Sequence, residues 1–298
     1  SLIPDCAVAQ VIARGAVNAV VVGADRVAQN GDIINKVGTY PIARIAAEYG
    51  VPFHALVQEP GSLACGADVT IEERPVDELL RFQGEALVPG EIAPMNVRYP
   101  AFDVTPAGLI TTLVGFQDLH TPETFRRKHQ QSRTTHQTPV QPRRRYLLVY
   151  GLPPKDQHGN LLSALRAERA ESVLVPEMRP QLWGPRLLAR QLLDRDIPIT
   201  LISDDMMGTL FAQGEIIKLC LFYDELAEAG ARGICGSLLA VQLARLHGVP
   251  VELYRAAPGN HDGLDRDSST FLGKRISPPG VSAWPIESEL VPWALLKE

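Results

Sequence analysis

The sequence predicts an α/β protein made of two Rossmann-like, mainly parallel βαβ domains related by internal duplication, the first copy lacking its amino-terminal part. Three observations predict it. Short β-branched runs alternate with helical stretches, which is the pattern of strand–helix–strand units. The apolar residues 19–22 lead straight into Gly23-Ala24-Asp25, so a carboxylate stands at the carboxyl end of a buried strand, where open α/β sheets present chemistry to a ligand. Finally, turn residues recur at a nearly fixed offset. Asp5, Gly15 and Asp25 meet Asp204, Gly214 and Asp224 at a shift of 199. At a shift of 198, Gly38 meets Gly236, Gly50-Val51-Pro52 meets Gly248-Val249-Pro250, and Pro60-Gly61 meets Pro258-Gly259.

In chain order, residues 7–14 have helical composition, 18–22 form a β-branched strand, and 41–49 are again helical. Gly50-Val51-Pro52 closes that helix and 53–57 restart a strand. After the punctuated stretch 84–101, the run Phe102-Asp103-Val104-Thr105-Pro106 predicts a helix start, with Asp103 or Thr105 as cap and Pro106 in the first turn. Residues 121–145 carry almost no apolar periodicity and predict a polar linker between domains spanning 1–120 and 146–298. Its basic flanks, Arg126-Arg127-Lys128 and Arg143-Arg144-Arg145, lack the interleaved aromatics that stack bases, so a solvated linker is the better reading than a nucleic-acid patch.

The second segment predicts strands at 146–150, 173–176, 197–203, 216–222 and 249–254. Helices fit at 161–169, 184–194, 205–213 and 236–247, and an irregular tail follows 260. This copy opens two strands earlier than the first does. The abrupt start on Ser1-Leu2-Ile3-Pro4-Asp5 therefore predicts a fragment of a longer protein, its opening half upstream; the alternative is that the second segment supplies that half in space.

A net charge of −5 gives no electrostatic case for nucleic acid or an anionic membrane, and no apolar run reaches the ~18 residues that span a bilayer. Cys6, Cys65, Cys220 and Cys235 are scattered without a C-x-x-C, so a reducing cytoplasm is expected. The histidines show no metal-ligand spacing, phosphate-binding glycine loops are absent, and Asn260-His261-Asp262-Gly263 reads as a solvated turn. No metal or cofactor is expected.

Five runs carry a resemblance: Gly23-Ala24-Asp25-Arg26, Asn30-Gly31-Asp32, Asn35-Lys36-Val37-Gly38-Thr39-Tyr40, Ile71-Glu72-Glu73-Arg74 and Pro100-Ala101-Phe102-Asp103-Val104-Thr105-Pro106. Through them residues 1–115 resemble the carboxyl-terminal half of the methylthioribose-1-phosphate isomerase family. That family shares its fold with the regulatory subunits of initiation factor two-B and with ribose-1,5-bisphosphate isomerases; the last two runs favour the isomerase branch. The resemblance implies aldose–ketose isomerisation of a sugar 1-phosphate in methionine salvage, without cofactor. It makes Asp25 the catalytic proton shuttle, and Asn35 and Lys36 the substrate-contacting pair, the ammonium facing a phosphate. Read without it, Asp25 is equally a helix N-cap and Lys36 a solvated helix-terminal lysine.

The second segment resembles the same family through Glu177-Met178-Arg179-Pro180-Gln181-Leu182-Trp183-Gly184-Pro185-Arg186, with Trp183 where the resemblance implies a site glutamine. Tyr223-Asp224-Glu225-Leu226 and Gly233-Ile234-Cys235-Gly236 replace the aspartate and lysine runs. Val149-Tyr150-Gly151 stands where a catalytic cysteine is implied, and a tyrosine supplies no low-pKa thiol. Cys220 and Cys235 read as small core or helix residues. The second copy is expected to be inactive, and the chain alone inactive too. Two functions follow as alternatives. One is an isomerase portion fused to an inactive copy, with the two copies packed as a pseudo-dimer or the chain a homo-oligomer. The other is a non-catalytic scaffold or sugar-phosphate sensor of the initiation factor two-B type, its second cleft filled by Trp183 or Tyr223.

Overall fold

A computed structural model describes residues 1–82, 84–88, 95–129, 144–257, 269–271, 274–284 and 288–296. The chain divides into two compact units. One holds residues 1–10, 75–99 and 143–298; the other holds 11–74 and 100–142.

The larger unit is organised by a six-stranded, all-parallel sheet in the order Val251–Arg255, Ile216–Tyr223, Tyr146–Tyr150, Ser172–Pro176, Ile199–Ile202, Asn96–Val97. Every residue of the strands Tyr146–Tyr150, Ser172–Pro176 and Ile199–Ile202 is buried. Continuous apolar strands of this kind belong inside a parallel sheet covered on both faces. Helices His158–Glu168, Ala189–Leu193, Met206–Ala212 and Ser237–Leu246 make the crossovers. The last is buried from Ser237 through Ala244, as expected of a helix apolar all round. Taken from Tyr146–Tyr150 onward, the five sequential strands run in doubly wound order, which reverses direction between Tyr146–Tyr150 and Ile216–Tyr223.

The smaller unit has a four-stranded sheet in the order Val20–Gly23, Phe53–Leu56, Thr112–Val114, Leu119–His120, parallel except for the last pair. Its inner face carries Phe53, Ala55 and Leu113, all at most 1% exposed. Helix Thr39–Glu48 joins the first two strands.

Each unit also carries an antiparallel three-stranded sheet. In the smaller one, Arg26–Val27, Ile33–Lys36 and Phe102–Thr105 pair in that order. In the larger one the strands are Glu225–Ala227, Gly230–Ile234 and Ser288–Pro292. These sheets correct two sequence expectations. Phe102–Thr105 is a strand, not a helix start: its alternating burial packs Asp103 and Thr105 inward, and its ladder with Ile33–Lys36 overrides the local capping signals. The tail is not wholly irregular, since Ser288–Pro292 pairs residue for residue with Gly230–Ile234. Within the stretch expected to be linker, Pro122–His129 is a helix that buries Phe125; residues 130–143, and the turn read at 260–263, lie outside the described residues.

Candidate functional site

In the smaller unit, the chain leaves strand Val20–Gly23 at its carboxyl end, and Asp25 follows in an exposed bend. Arg26–Val27 then pairs back on Ile33–Lys36, with Arg26 opposite Ile34 and Val27 opposite Ile33. Asn35 and Lys36 complete the partner strand beyond that pairing. Ile33 and Ile34 are fully buried, so the ladder is anchored by apolar packing. Asn35 is half-buried and Lys36 exposed at the end remote from the turn.

The hairpin is held by its own turn chemistry. Gly31 adopts φ +91°, and the Asn30 side chain accepts from Asp32 N at 3.0 Å while donating to Asp32 Oδ2 at 2.8 Å. The Asp32 carboxylate also accepts Gly66 N at 3.0 Å and Ala107 N at 2.9 Å, tying two further loops to the turn. Gly66 is required for that approach: a Cβ there would lie 2.3 Å from Val104 Cγ1. At the other end Asn35 Nδ2 donates to Thr39 Oγ1 at 3.0 Å, and the Thr39 hydroxyl donates to Lys36 O at 2.7 Å, which orients the Asn35 amide.

Asp103 completes this frame. It is 2% exposed and accepts Gly38 N at 2.8 Å and Tyr40 N at 3.0 and 3.1 Å, capping helix Thr39–Glu48 from a separate strand. Burial pushes its carboxyl up to about 7, against the downward pull of the backbone bonds from Tyr40, Gly38 and Thr39. Sequence reasoning marks neither Asp32 nor Asp103 as part of the site. The signal for the first is the Asn-Gly-Asp run itself; the second has the right chemistry, a capping aspartate, assigned to the wrong helix.

In the larger unit the carboxyl end of strand Tyr146–Tyr150 is filled by a side chain. Tyr150 ends its strand at the point where strand order reverses, is fully buried, and donates its hydroxyl to Cys235 O at 2.9 Å. Gly236, at φ +93°, makes room for it, because a Cβ there would come within 1.9 Å of the tyrosine oxygen. Burial, then the nearby Asp204 charge, push that phenol well above its usual range. At the reversal Tyr150 is fully buried, while of the two residues expected to fill a cleft Trp183 is buried, at 6% exposed, and Tyr223 only partly so.

Beside it, Arg179 forks onto Glu177 at 2.9 and 3.1 Å, and Asp204 accepts Met178 N and Arg179 N at 2.8 Å each. Burial, then the Glu177 charge, raise Asp204 to about 6; burial and the Asp5 charge raise Asp205. Among the cysteines, burial pushes Cys220 up to about 12, and burial with the Asp68 hydrogen bond raises Cys65. Neither environment generates a thiolate at neutral pH. Among the described residues no group of three or more His, Cys, Asp or Glu is placed to hold a metal ion, and no helix is long and apolar enough to cross a membrane.

A doubly wound parallel sheet in the larger unit, and in each unit one parallel strand that leads into an antiparallel flap with a glycine-initiated helix behind it, define the class of the fold. The initiation factor 2 subunit family matches residues 1–116 and 153–258, and the chain belongs to that family. Methylthioribose-1-phosphate isomerase from Dehalococcoides mccartyi is 44% identical over 116 residues, covering 38% of this chain and 34% of the relative. The protein of that name from Anaeromyxobacter dehalogenans is 48% identical over 108 residues, covering 35% and 30%. The chain thus spans about a third of the length of the curated relatives it matches. Among solved structures, 5-methylthioribose 1-phosphate isomerase from Pyrococcus horikoshii OT3 aligns at 41% identity over 41% of this chain and 34% of its own, with TM-score 0.38. The delta subunit of translation initiation factor eIF-2B from A. fulgidus aligns at 18% identity over 53% and 52%, with TM-score 0.42.

Proposed function

We propose that residues 1–116 form the substrate-handling part of a sugar-phosphate aldose–ketose isomerase of the methylthioribose-1-phosphate type, and that residues 153–258 are a duplicated copy that has lost the site. The observation that supports the reading is that strand Val20–Gly23 leads through Asp25 into a hairpin whose partner strand, Ile33–Lys36, carries Asn35 and Lys36. In the proposed role, the Asp25 carboxyl gives a proton to the ring oxygen as the C1–O bond opens and takes one back from the C2 hydroxyl as the C2 carbonyl forms, while the hydrogen on C2 ends on C1, with no net change in protons. Lys36 offers a point charge to the phosphate, and Asn35, oriented by Thr39, donates to a sugar oxygen.

Duplication is supported by paired features. Gly38 and Gly236 take φ +104° and +93° immediately before their helices. Asp103 accepts Tyr40 N in one unit, and Glu289 accepts Leu238 N at 2.8 Å in the other. The resemblance gives no cysteine or phosphate-binding arginine counterpart within the chain. The reading therefore expects ligand binding here, with turnover only when those groups are supplied.

The test is thermal stabilisation by methylthioribose-1-phosphate and by ribose-1,5-bisphosphate, beside inorganic phosphate alone and an Asp25→Asn variant. A sugar-phosphate shift that exceeds phosphate and is altered by the substitution supports the reading, since a ligand of the native state raises the melting temperature by mass action. Equal shifts with phosphate alone would refute it. Burial of Tyr150 at the strand reversal favours a second reading for the larger unit, a scaffold without catalysis; that unit is then expected to give no ligand-dependent protection from hydrogen exchange.

A further inference from the structure

We infer that Cys6 and Cys235 form a redox-responsive thiol pair, which closes to a disulfide on two-electron oxidation and staples residues 1–10 to the parallel-sheet unit. Their sulfurs lie 3.7 Å apart, and both residues are at most 2% exposed. Cys6 sits in the single 3-10 turn Asp5–Ala7, its thiol also donating to Arg179 O at 3.4 Å. Cys235 follows strand Gly230–Ile234 and is fixed through its carbonyl by the Tyr150 hydroxyl. A disulfide needs its sulfurs about 2.05 Å apart, so the pair must close by roughly 1.7 Å.

Cys6 Cβ lies 3.0 Å from the position a Gly236 Cβ would occupy, so the missing side chain of Gly236 is what admits Cys6. Elsewhere the segment is held by short-range contacts: Leu2 exchanges backbone bonds of 2.8 Å with Ser282 and Trp284, and Gln10 Nε2 reaches Ser288 O at 3.4 Å. A covalent link at residue 6 would lie between those two anchors.

Hydrogen peroxide is the simplest oxidant. One thiolate attacks a peroxide oxygen and becomes a sulfenic acid, releasing hydroxide that takes up a proton. The second thiol then displaces the sulfenic hydroxyl as water. Two thiols lose two electrons and two protons, and the peroxide becomes two waters. The hydrogen bond between the thiols and their burial raise Cys6 well above its ordinary value, and burial raises Cys235 against the opposing effect of that bond. The closure is therefore slow at neutral pH and speeds up as pH rises and the first thiolate forms.

The experiment treats the folded full chain with hydrogen peroxide at pH 7 and pH 9, blocks residual thiols after unfolding, and maps tryptic peptides without reduction. The expected result is a linked pair of peptides 1–14 and 233–245, formed faster at pH 9, with Cys65 and Cys220 recovered as blocked thiols. A rise in melting temperature reversed by dithiothreitol should accompany it. A variant carrying Cys65→Ser and Cys220→Ser keeps the link, and Cys6→Ser removes it. Recovery of Cys6 and Cys235 as free thiols or as separate sulfinic acids would overturn the inference. So would an equal yield of the link from urea-unfolded chain.

Discussion

Replacing Asp103 tests the frame of the candidate site directly. In Asp103→Ala the backbone N–H groups of Gly38 and Tyr40 lose a buried acceptor, at about 1–3 kcal/mol each. The sum centres near 3 kcal/mol once partial relaxation is allowed, which is roughly a hundredfold in the local opening equilibrium. Hydrogen exchange at the amides of Tyr40 and of helix Thr39–Glu48 reads that opening without requiring the whole chain to unfold in one step. The pH dependence adds a sign. Asp103 titrates near 7 in the folded unit against an ordinary value of 3.8, so between those values the folded state holds the extra proton. Its stability is then fully present below about pH 3.8 and declines as pH rises toward 7, by up to about 4 kcal/mol for a shift of this size. Asp103→Asn removes the titration and flattens the curve, so its cost relative to the aspartate shrinks as pH rises from 4 to 7. A cost that grows over that interval would refute the burial argument. An Asp103→Ala change below about 0.5 kcal/mol would refute the cap itself.

Three further outcomes follow from the same geometry. Gly236→Ala forces a methyl to within 1.9 Å of the Tyr150 hydroxyl at φ +93°, and should cost about 2–4 kcal/mol in urea unfolding of the larger unit; an unchanged midpoint would contradict the packing there. Tyr150→Phe removes only the hydroxyl bonded to Cys235 O, so a loss of about 1–2 kcal/mol is expected, and a gain in stability would show that the bond is not made. Asp32→Ala frees Gly66 N and Ala107 N and should abolish sugar-phosphate stabilisation along with about 2–4 kcal/mol of local protection; retained ligand response would detach the clamp from the site.

What is legible in the sequence has local causes. The buried strands of the larger unit announce themselves as apolar runs bounded by turn residues, and the crossover helices fit between them. The glycines before the helices show by their recurrence, and the structure gives Gly38 and Gly236 the left-handed backbone that only glycine adopts at little cost. What escapes has its cause elsewhere in the chain. Asp103 looks like a cap beside Pro106, yet the helix it caps lies 63 residues earlier, and a four-residue strand shows too little alternation to outweigh the local signal. Tyr150 is legible as a tyrosine where the resemblance implies a cysteine. Its closing of the strand reversal is not, since the carbonyl it meets is 85 residues away. Ser288–Pro292 is hidden because its partner strand, not its own composition, makes it a strand.

The contrast between the units separates residues that build the flap from residues that would do chemistry on it. On the proposed duplication, Phe102-Asp103-Val104-Thr105-Pro106 stands against Ser288-Glu289-Leu290-Val291-Pro292. Both runs lie antiparallel to the strand that precedes the glycine, and both present a buried carboxylate to the following helix. The carboxylate therefore belongs to the fold, because a helix beginning under a strand needs an acceptor for N–H groups that water cannot reach. Asp25 and Lys36 are not placed to serve the fold in that way. Both are exposed, at the open end of a ladder whose packing is supplied by Ile33 and Ile34. Substituting the two classes should then give opposite signatures. Glu289→Ala, at a position 0% exposed, should cost about 2–4 kcal/mol in the larger unit and leave the ligand response of the smaller one unchanged. Asp25→Asn and Lys36→Gln should alter that response while moving stability by less than about 0.5 kcal/mol. If Asp25→Asn destabilises the hairpin as Asp103→Ala does, Asp25 is a structural cap and the assignment of chemistry to it fails.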